Sequence, residues 1–180
     1  DSKALKILKK KKNLRLIDAS NYSLNEIQKF LSSNEEILVQ SEDLIKFKNK
    51  DFKVVSKRKP SVNEMKNLIF AFNVCRYVKS NAIVIAENET TVGIGSGQPN
   101  RLDSCQIAIN KMEKFIKTNG NLVAASDAFF PFIDGIEKLI QSGIKAIIQP
   151  SGSIKDKEII NFANQTDTVL VFSKTRHFRH

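Results

Sequence analysis

Three short apolar runs constrain this chain more than anything else in it: LVAAS at 122–126, IKAIIQ at 144–149 and TVLVF at 168–172. Each is close to continuously apolar rather than alternating, which is the pattern of a strand buried on both faces. Between them, 133–142 and 155–165 carry apolar residues at helical spacing. Strand, helix, strand, helix, strand implies parallel strands joined by right-handed crossovers, with helices covering the sheet.

Upstream, residues 82–86 and 91–94 read as two strands joined by Glu87-Asn88-Glu89, a hairpin. Residues 101–118 follow as a helix, with Ile107, Met112, Phe115 and Ile116 among its apolar positions and Gly120 ending it. The chain from 82 onward thus predicts a three-layer α/β sandwich with a mixed sheet, antiparallel at one side and parallel in the rest. Ser61 with Glu64 forms a capping box, and Met65, Leu68, Ile69, Phe72 and Cys75 extend that helix to about Val78. Pro60 disfavours helix at the residue before it and marks a boundary, giving segments 1–60 and 61–180. In the first segment, 4–12 is read as a helix, 14–17 as a short strand and 37–40 as a strand. Ser23 and Glu26 have capping-box spacing, and 24–31 is compatible with either helix or strand.

The net charge of +10 is unevenly placed, since residues 1–60 hold 15 Lys and Arg against 8 acids. The run Lys9–Lys12 has no interleaved aromatics, as expected of a solvated helix end more than of a nucleic-acid platform. Anionic small substrates fit the charge equally well, and nucleic acid is not expected as a partner. The two cysteines, Cys75 and Cys105, sit among apolar neighbours without metal-ligand spacing, so reduced, buried thiols are expected. With no apolar run of membrane-spanning length and no signal-peptide pattern at Asp1-Ser2-Lys3, no membrane contact and a cytoplasmic location are expected.

Three segments carry residues suited to chemistry, and each has a structural reading beside the functional one. Gly93-Ile94-Gly95-Ser96-Gly97-Gln98 precedes a helix, so it is either a turn or a loop whose N–H groups receive an anion. It lacks the third glycine of the dinucleotide fingerprint and follows a hairpin strand. Ser126-Asp127-Ala128-Phe129-Phe130-Pro131-Phe132-Ile133-Asp134 ends a strand. There the phenylalanines are either core or ligand platform, and Asp134 is either an N-cap or a ligand group. Pro150-Ser151-Gly152-Ser153-Ile154 ends the next strand, and Ser153 is suited to capping the following helix as well as to ligand contact. Parallel sheets place ligands beyond the carboxyl ends of their strands, where the last two of these segments lie.

The blocks KSNAI, VGIG, GQ, LDS, ASDAFFPF, QPSGSI and RHFRH, in this order along nearly the whole chain from Lys3, resemble the C-terminal part of the bifunctional purine-biosynthesis enzyme family with AICAR formyltransferase and IMP cyclohydrolase activities. One departure is Asn34-Glu35-Glu36, which stands where the family has a Gly-Gly turn between two strands. The resemblance implies a cytidine-deaminase-like fold without its zinc site; neither H-x-E nor P-C-x-x-C occurs in the sequence. It assigns residues 1–60 to a connecting segment from the preceding subdomain and 61–180 to the C-terminal subdomain of AICAR formyltransferase. It implies transfer of a formyl group from 10-formyltetrahydrofolate, as cosubstrate and not as a tightly bound cofactor, to the 5-amino group of AICAR.

On matching positions, Asn81, Phe129 and Arg176 are expected at AICAR, and Arg101, Leu102 (through its backbone), Asp134, Ser153 and Ile154 at the folate. The family's Lys-His pair for proton transfer has no counterpart in this sequence, so no catalytic residue is assigned, and a fragment inactive alone is expected. A monovalent cation near Asp127 and Ser80 and a homodimer with interfacial active sites are further implications. His177 and His180 are expected in packing or solvent. The rival readings are a basic nucleic-acid-binding module, resting on the lysine run, and a dinucleotide-binding domain, resting on the glycine loop.

Overall fold

The computed structural model describes residues 2–18, 21, 28–115 and 120–180, and it divides into two compact units, Asp1–Glu42 and Asp43–His180. In the first unit, α1 (Ser2–Leu8) has no buried side chain, and β1 (Gln28–Ser33) pairs antiparallel with β2 (Glu36–Ser41). The strand expected at 37–40 is therefore present. The undecided stretch resolves as strand from Gln28 onward, and 24–27, with its Ser23 and Glu26 pattern, lies outside the described residues. Asn34 and Glu35 make the turn between these two strands. The expected strand at 14–17 is absent, and α1 stops four residues short of the reading to Lys12, because none of the described residues of the first unit buries its apolar face. The four lysines that follow it are exposed.

The second unit is built on a six-stranded sheet. Its strands are β3 (Phe52–Val54), β4 (Ile83–Glu87), β5 (Thr90–Gly95), β6 (Val123–Ser126), β7 (Ala146–Pro150) and β8 (Val169–Ser173), in the spatial order β3-β8-β7-β6-β4-β5. β6, β7 and β8 are parallel, and β4 and β5 extend the sheet antiparallel on one side. The mixed sheet is thus as the sequence implied. β3 is an addition, pairing antiparallel with β8 on the other side through Phe52 opposite Ser173. The boundary read at Pro60 falls inside this unit, since β3 precedes it.

One helix lies on one face and three on the other. α2 (Val62–Cys75) opens with the expected capping box. Glu64 N–H donates to Ser61 Oγ at 3.1 Å, and Ser61 N–H donates to the Glu64 carboxylate at 2.8 Å. It buries Leu68, Ala71, Phe72 and Cys75 against Val84, Val123, Ile148 and Val171. α3 (Arg101–Phe115), α4 (Asp134–Gln141) and α5 (Asp156–Gln165) cover the opposite face, where Cys105, Ile109, Ile136, Leu139 and Ile159 meet Ile83, Ile85, Ala124, Ile147 and Leu170. The alternation of a strand's side chains does this work, since Ile83 and Ile85 face one layer and Val84 and Ala86 the other. α4 and α5 share a face, as successive crossovers of one hand along β6, β7, β8 require. Both cysteines are free and fully buried, as expected. Among the described residues no helix is long and apolar enough to cross a membrane.

Two glycines of the GIGSG segment have a packing role. A Cβ on Gly93 would stand 2.1 Å from the carbonyl oxygen of Ala108, and one on Gly95 would stand 1.9 Å from that of Ser104. These glycines lie in β5 and let the backbone of α3 rest directly on the strand. The segment is therefore neither a simple turn nor an open anion loop. Gly97, at φ +70°, makes the turn that leaves the strand, and its N–H donates to Lys79 C=O at 2.8 Å.

Candidate functional site

Strand register assembles the site. Ile83, the first residue of β4, lies opposite both Gly95, the last of β5, and Ser126, the last of β6. The segment entering β4 and the segments leaving β5 and β6 therefore meet at one end of the sheet. There a cavity of about 440 Å³ is lined by Asn81, Pro99, Asn100, Arg101, Leu102, Phe130, Pro131, Phe132, Asp134 and Gly135. Clefts of about 360 and 460 Å³ open at the other end, around the residues that precede β6, β7 and β8. The end-of-strand rule selects the first.

Four of the residues expected at a ligand line this cavity: Asn81, Arg101, Leu102 and Asp134. Asn81 Nδ2 donates to the carbonyls of Gln98 at 2.9 Å and Pro99 at 3.0 Å, so its amide holds the loop that forms one wall. The Ser80–Asn81 peptide is cis. Leu102 does not offer its N–H, which donates to Asn100 Oδ1 at 2.8 Å and caps α3. Asp134 is exposed and does not serve as the N-cap: it is the first residue of α4, and its carboxylate accepts from the N–H of Gly135 at 2.7 Å.

Arg101 is turned inward. Its side chain is 10% exposed, its Nη2 pairs with Asp127 Oδ1 at 2.8 Å, and its Nη1 donates to the carbonyl of Phe129 at 3.2 Å. Asp127 is fully buried, and its second oxygen has no partner among the described residues. An ion pair this deep is costly to break from one side, because the survivor becomes an unpaired buried charge.

The remaining expected residues do not join the lining. Phe129 is half-buried and presents its carbonyl to Arg101, while its neighbour Phe130, 1% exposed, forms the wall. Ser153 is not the N-cap of α5. That place falls to Lys155, whose N–H donates to Ser153 Oγ at 3.1 Å, and Asp156 accepts from the N–H groups of Gly152 and Ser153. Ile154 is fully exposed beyond β7. Arg176, beyond β8, is exposed with its guanidinium 5.6 Å from the Phe178 ring centre.

His177 packs as expected: it is 1% exposed between Phe47 and Phe72, with Nδ1 on the Asp43 carboxylate. Burial lowers its pKa below the ordinary 6.5 despite the raising effect of that carboxylate. The neutral ring donates from Nδ1, leaving Nε2 as a bare acceptor without a partner among the described residues. Burial also raises both thiols, Cys75 well above its ordinary value and Cys105 to about 12.

Sequence reasoning missed Gln149. It is fully buried at the end of an apolar strand, and its Oε1 accepts from the N–H of Phe130 at 3.3 Å. A lone amide closing an apolar run was the available signal.

Residues 1–111 match the family described as AICARFT/IMPCHase bienzyme. The chain is 45% identical over 177 residues to the bifunctional purine biosynthesis protein PurH of Chlorobium phaeobacteroides, covering 98% of this chain and 34% of that protein. It is 45% identical over 175 residues to the PurH of Persephonella marina (97% and 34%) and 43% over 182 residues to that of Ligilactobacillus salivarius (100% and 35%). The chain thus spans about a third of the length of the curated relatives it matches. Among solved structures, a diaminohydroxyphosphoribosylaminopyrimidine deaminase/5-amino-6-(5-phosphoribosylamino)uracil reductase from Thermotoga maritima aligns with a TM-score of 0.35 at 13% identity, covering 60% of this chain and 34% of that one. A likeness that loose does not assign the fold.

Proposed function

The chain belongs to the AICARFT/IMPCHase bienzyme family, and from that premise we propose that it is the part of an AICAR formyltransferase that binds AICAR and 10-formyltetrahydrofolate between the entry to β4 and the exits of β5 and β6. The observation carrying this reading is the convergence of Asn81, Arg101, Leu102 and Asp134 on one cavity at the strand ends. The exposed Asp134 carboxylate suits the pterin, because it accepts from a ring N–H and an amino group together. Phe130, Pro131 and Phe132 supply flat apolar walls for a ring system. Arg176 is proposed for AICAR, and Ser153 and Ile154 for the folate, on the adjoining exits of β8 and β7; Phe129 is proposed beside the AICAR base.

In the reaction, the 5-amino nitrogen of AICAR forms a bond to the formyl carbon as the bond to the folate nitrogen breaks, and one proton is lost from the amine while one is gained by the departing folate nitrogen. The sequence has no Lys-His pair, so proton transfer is assigned to another part of the parent protein. A homodimer and a cytoplasmic setting belong to the same proposal. For the monovalent cation of the resemblance, Asp127 Oδ2 is a suitable donor, being buried and unpartnered. Ser80 Oγ already accepts from Arg179 N–H at 3.1 Å, and no step is routed through the ion.

Calorimetric titration of the full-length protein with AICAR and with a folate analogue tests the reading. Asp134→Asn should weaken the folate and spare AICAR, and Arg176→Ala should do the reverse. Loss of the same ligand in both variants, or of neither in a folded protein, refutes the assignment.

A further inference from the structure

The carbonyl of Phe129 and the N–H of Phe130 belong to one peptide group, and two side chains grip it from its two ends. Arg101 Nη1 donates to the carbonyl at 3.2 Å, and Gln149 Oε1 accepts from the N–H at 3.3 Å, the long end of hydrogen-bonding distance. The donor fixes which way the Gln149 amide faces. Because an N–H must meet oxygen, Nε2 points away and is left buried without a partner among the described residues. An orphaned donor in a fully buried side chain is a standing cost, and a leucine or methionine at this site would avoid it. Gln149 is also the only polar residue within β7. On the other side, Arg101 is itself held by the fully buried Asp127.

We propose that Gln149 and Arg101 are positioning residues that clamp the Phe129–Phe130 peptide and so set the directions of the two rings at the formyl-transfer site. This rests on the formyltransferase reading above. The plane of that peptide decides where both side chains leave the backbone. Phe130 is turned inward against Gly135, where a Cβ would stand 2.6 Å from its ring, so the wall of the cavity and the start of α4 are placed together. Phe129, the other residue of the peptide, stays half-buried. Rotation of the freed peptide would move both rings, and misplacement by about 1 Å at a reacting centre costs on the order of 100-fold in rate. In this arrangement Arg101 acts through Phe129 as well as lining the cavity.

The test uses the full-length protein with Gln149→Met, which fills the volume without an acceptor, and Gln149→Glu, which keeps an oxygen in place. Hydrogen exchange and steady-state kinetics are read together. Q149M should raise exchange in 126–134 at least ten-fold while Ile83–Glu87 and Val169–Ser173 keep wild-type protection. Its formyl transfer should fall about ten-fold or more with cyclohydrolase activity unchanged, and Q149E should stay within about three-fold of wild type in both. Unchanged exchange in Q149M, raised exchange with undiminished transfer, or equal impairment of Q149E overturns the clamp. If Q149M does not fold, Gln149→Asn, whose amide is one carbon too short, replaces it in the same comparison. A wild-type protein without formyl transfer would refute the functional reading, and exchange alone would then decide the clamp.

Discussion

Replacing Gly95 with alanine tests whether α3 is held by direct backbone contact with β5. The added methyl would lie 1.9 Å from the Ser104 carbonyl oxygen and 2.6 Å from its carbon, whereas ordinary contact begins near 3.4 Å. The obstacle is helix backbone, which cannot rotate aside, so α3 must lift by about the difference, roughly 1.5 Å (3.4 − 1.9). A gap of 0.5–1 Å already forfeits about a quarter to a half of the dispersion at an interface, and α3 buries Cys105, Ala108, Ile109 and Met112 there. The expected cost is about 3 kcal/mol, the upper end for overpacking, or about 6–12 °C in Tm for a chain of this size. Gly143→Ala is the control. Its φ of +93° strains an alanine, but nothing lies within 4 Å, so only the backbone cost of about 1–2 kcal/mol applies. Thermal and urea denaturation followed by circular dichroism compares the two. A Gly95→Ala cost no larger than that of Gly143→Ala would refute the account of close approach.

Arg101→Met should cost about 3–5 kcal/mol by stranding the buried Asp127 carboxylate. Adding Asp127→Asn should recover more than half of that loss in a double-mutant cycle, and simple additivity would show that the pair does not interact. The lowered pKa of His177 makes the unfolded chain bind more protons than the folded one below pH 6.5, so stability is full above that pH and falls as pH drops through the folded value. Denaturation midpoints between pH 7 and pH 5 should show this slope, at most about 1.4 kcal/mol per pH unit for one group, and His177→Gln should flatten it. Cys75 and Cys105, buried with raised pKa values, should resist a thiol-reactive disulfide reagent in the native protein and both react in denaturant. Rapid native labelling would contradict their burial.

What the sequence made legible follows from how each signal arises. The strands around Val84, Ala124, Ile147 and Leu170 were visible because burial on both faces demands continuous apolar runs, and α2 because its capping box is local chemistry. β3 was not visible. Its three residues Phe52, Lys53 and Val54 alternate like any loop, and only their pairing with β8 makes them a strand. The rule that ligands gather beyond strand ends points to the end of the sheet where the cavity lies, and the family resemblance supplies the four expected residues that line it. Neither signal carries the direction in which a loop turns, so nothing in the sequence separates Phe130, which lines the cavity, from Phe129, Ser153, Ile154 and Arg176, which do not. GIGSG stays open between turn and anion loop in the sequence, since a glycine that admits a helix backbone and one that admits an anion look alike there.

The position of β8 between β3 and β7 bears on the order in which the protein can be made. β3 is synthesised more than a hundred residues before the strand it pairs with, and it has no other partner in the sheet. Until Val169–Ser173 emerges, the open edge of β7 is unpaired, and Phe47, Phe52 and Phe72 lack the cover that the later chain and His177 provide. A nascent chain therefore exposes an apolar strand edge and an aromatic cluster until almost the last residues of this unit appear, a state open to edge-to-edge association. Translational stalling shortly before β8 would prolong that state, and holding chaperones would matter most there.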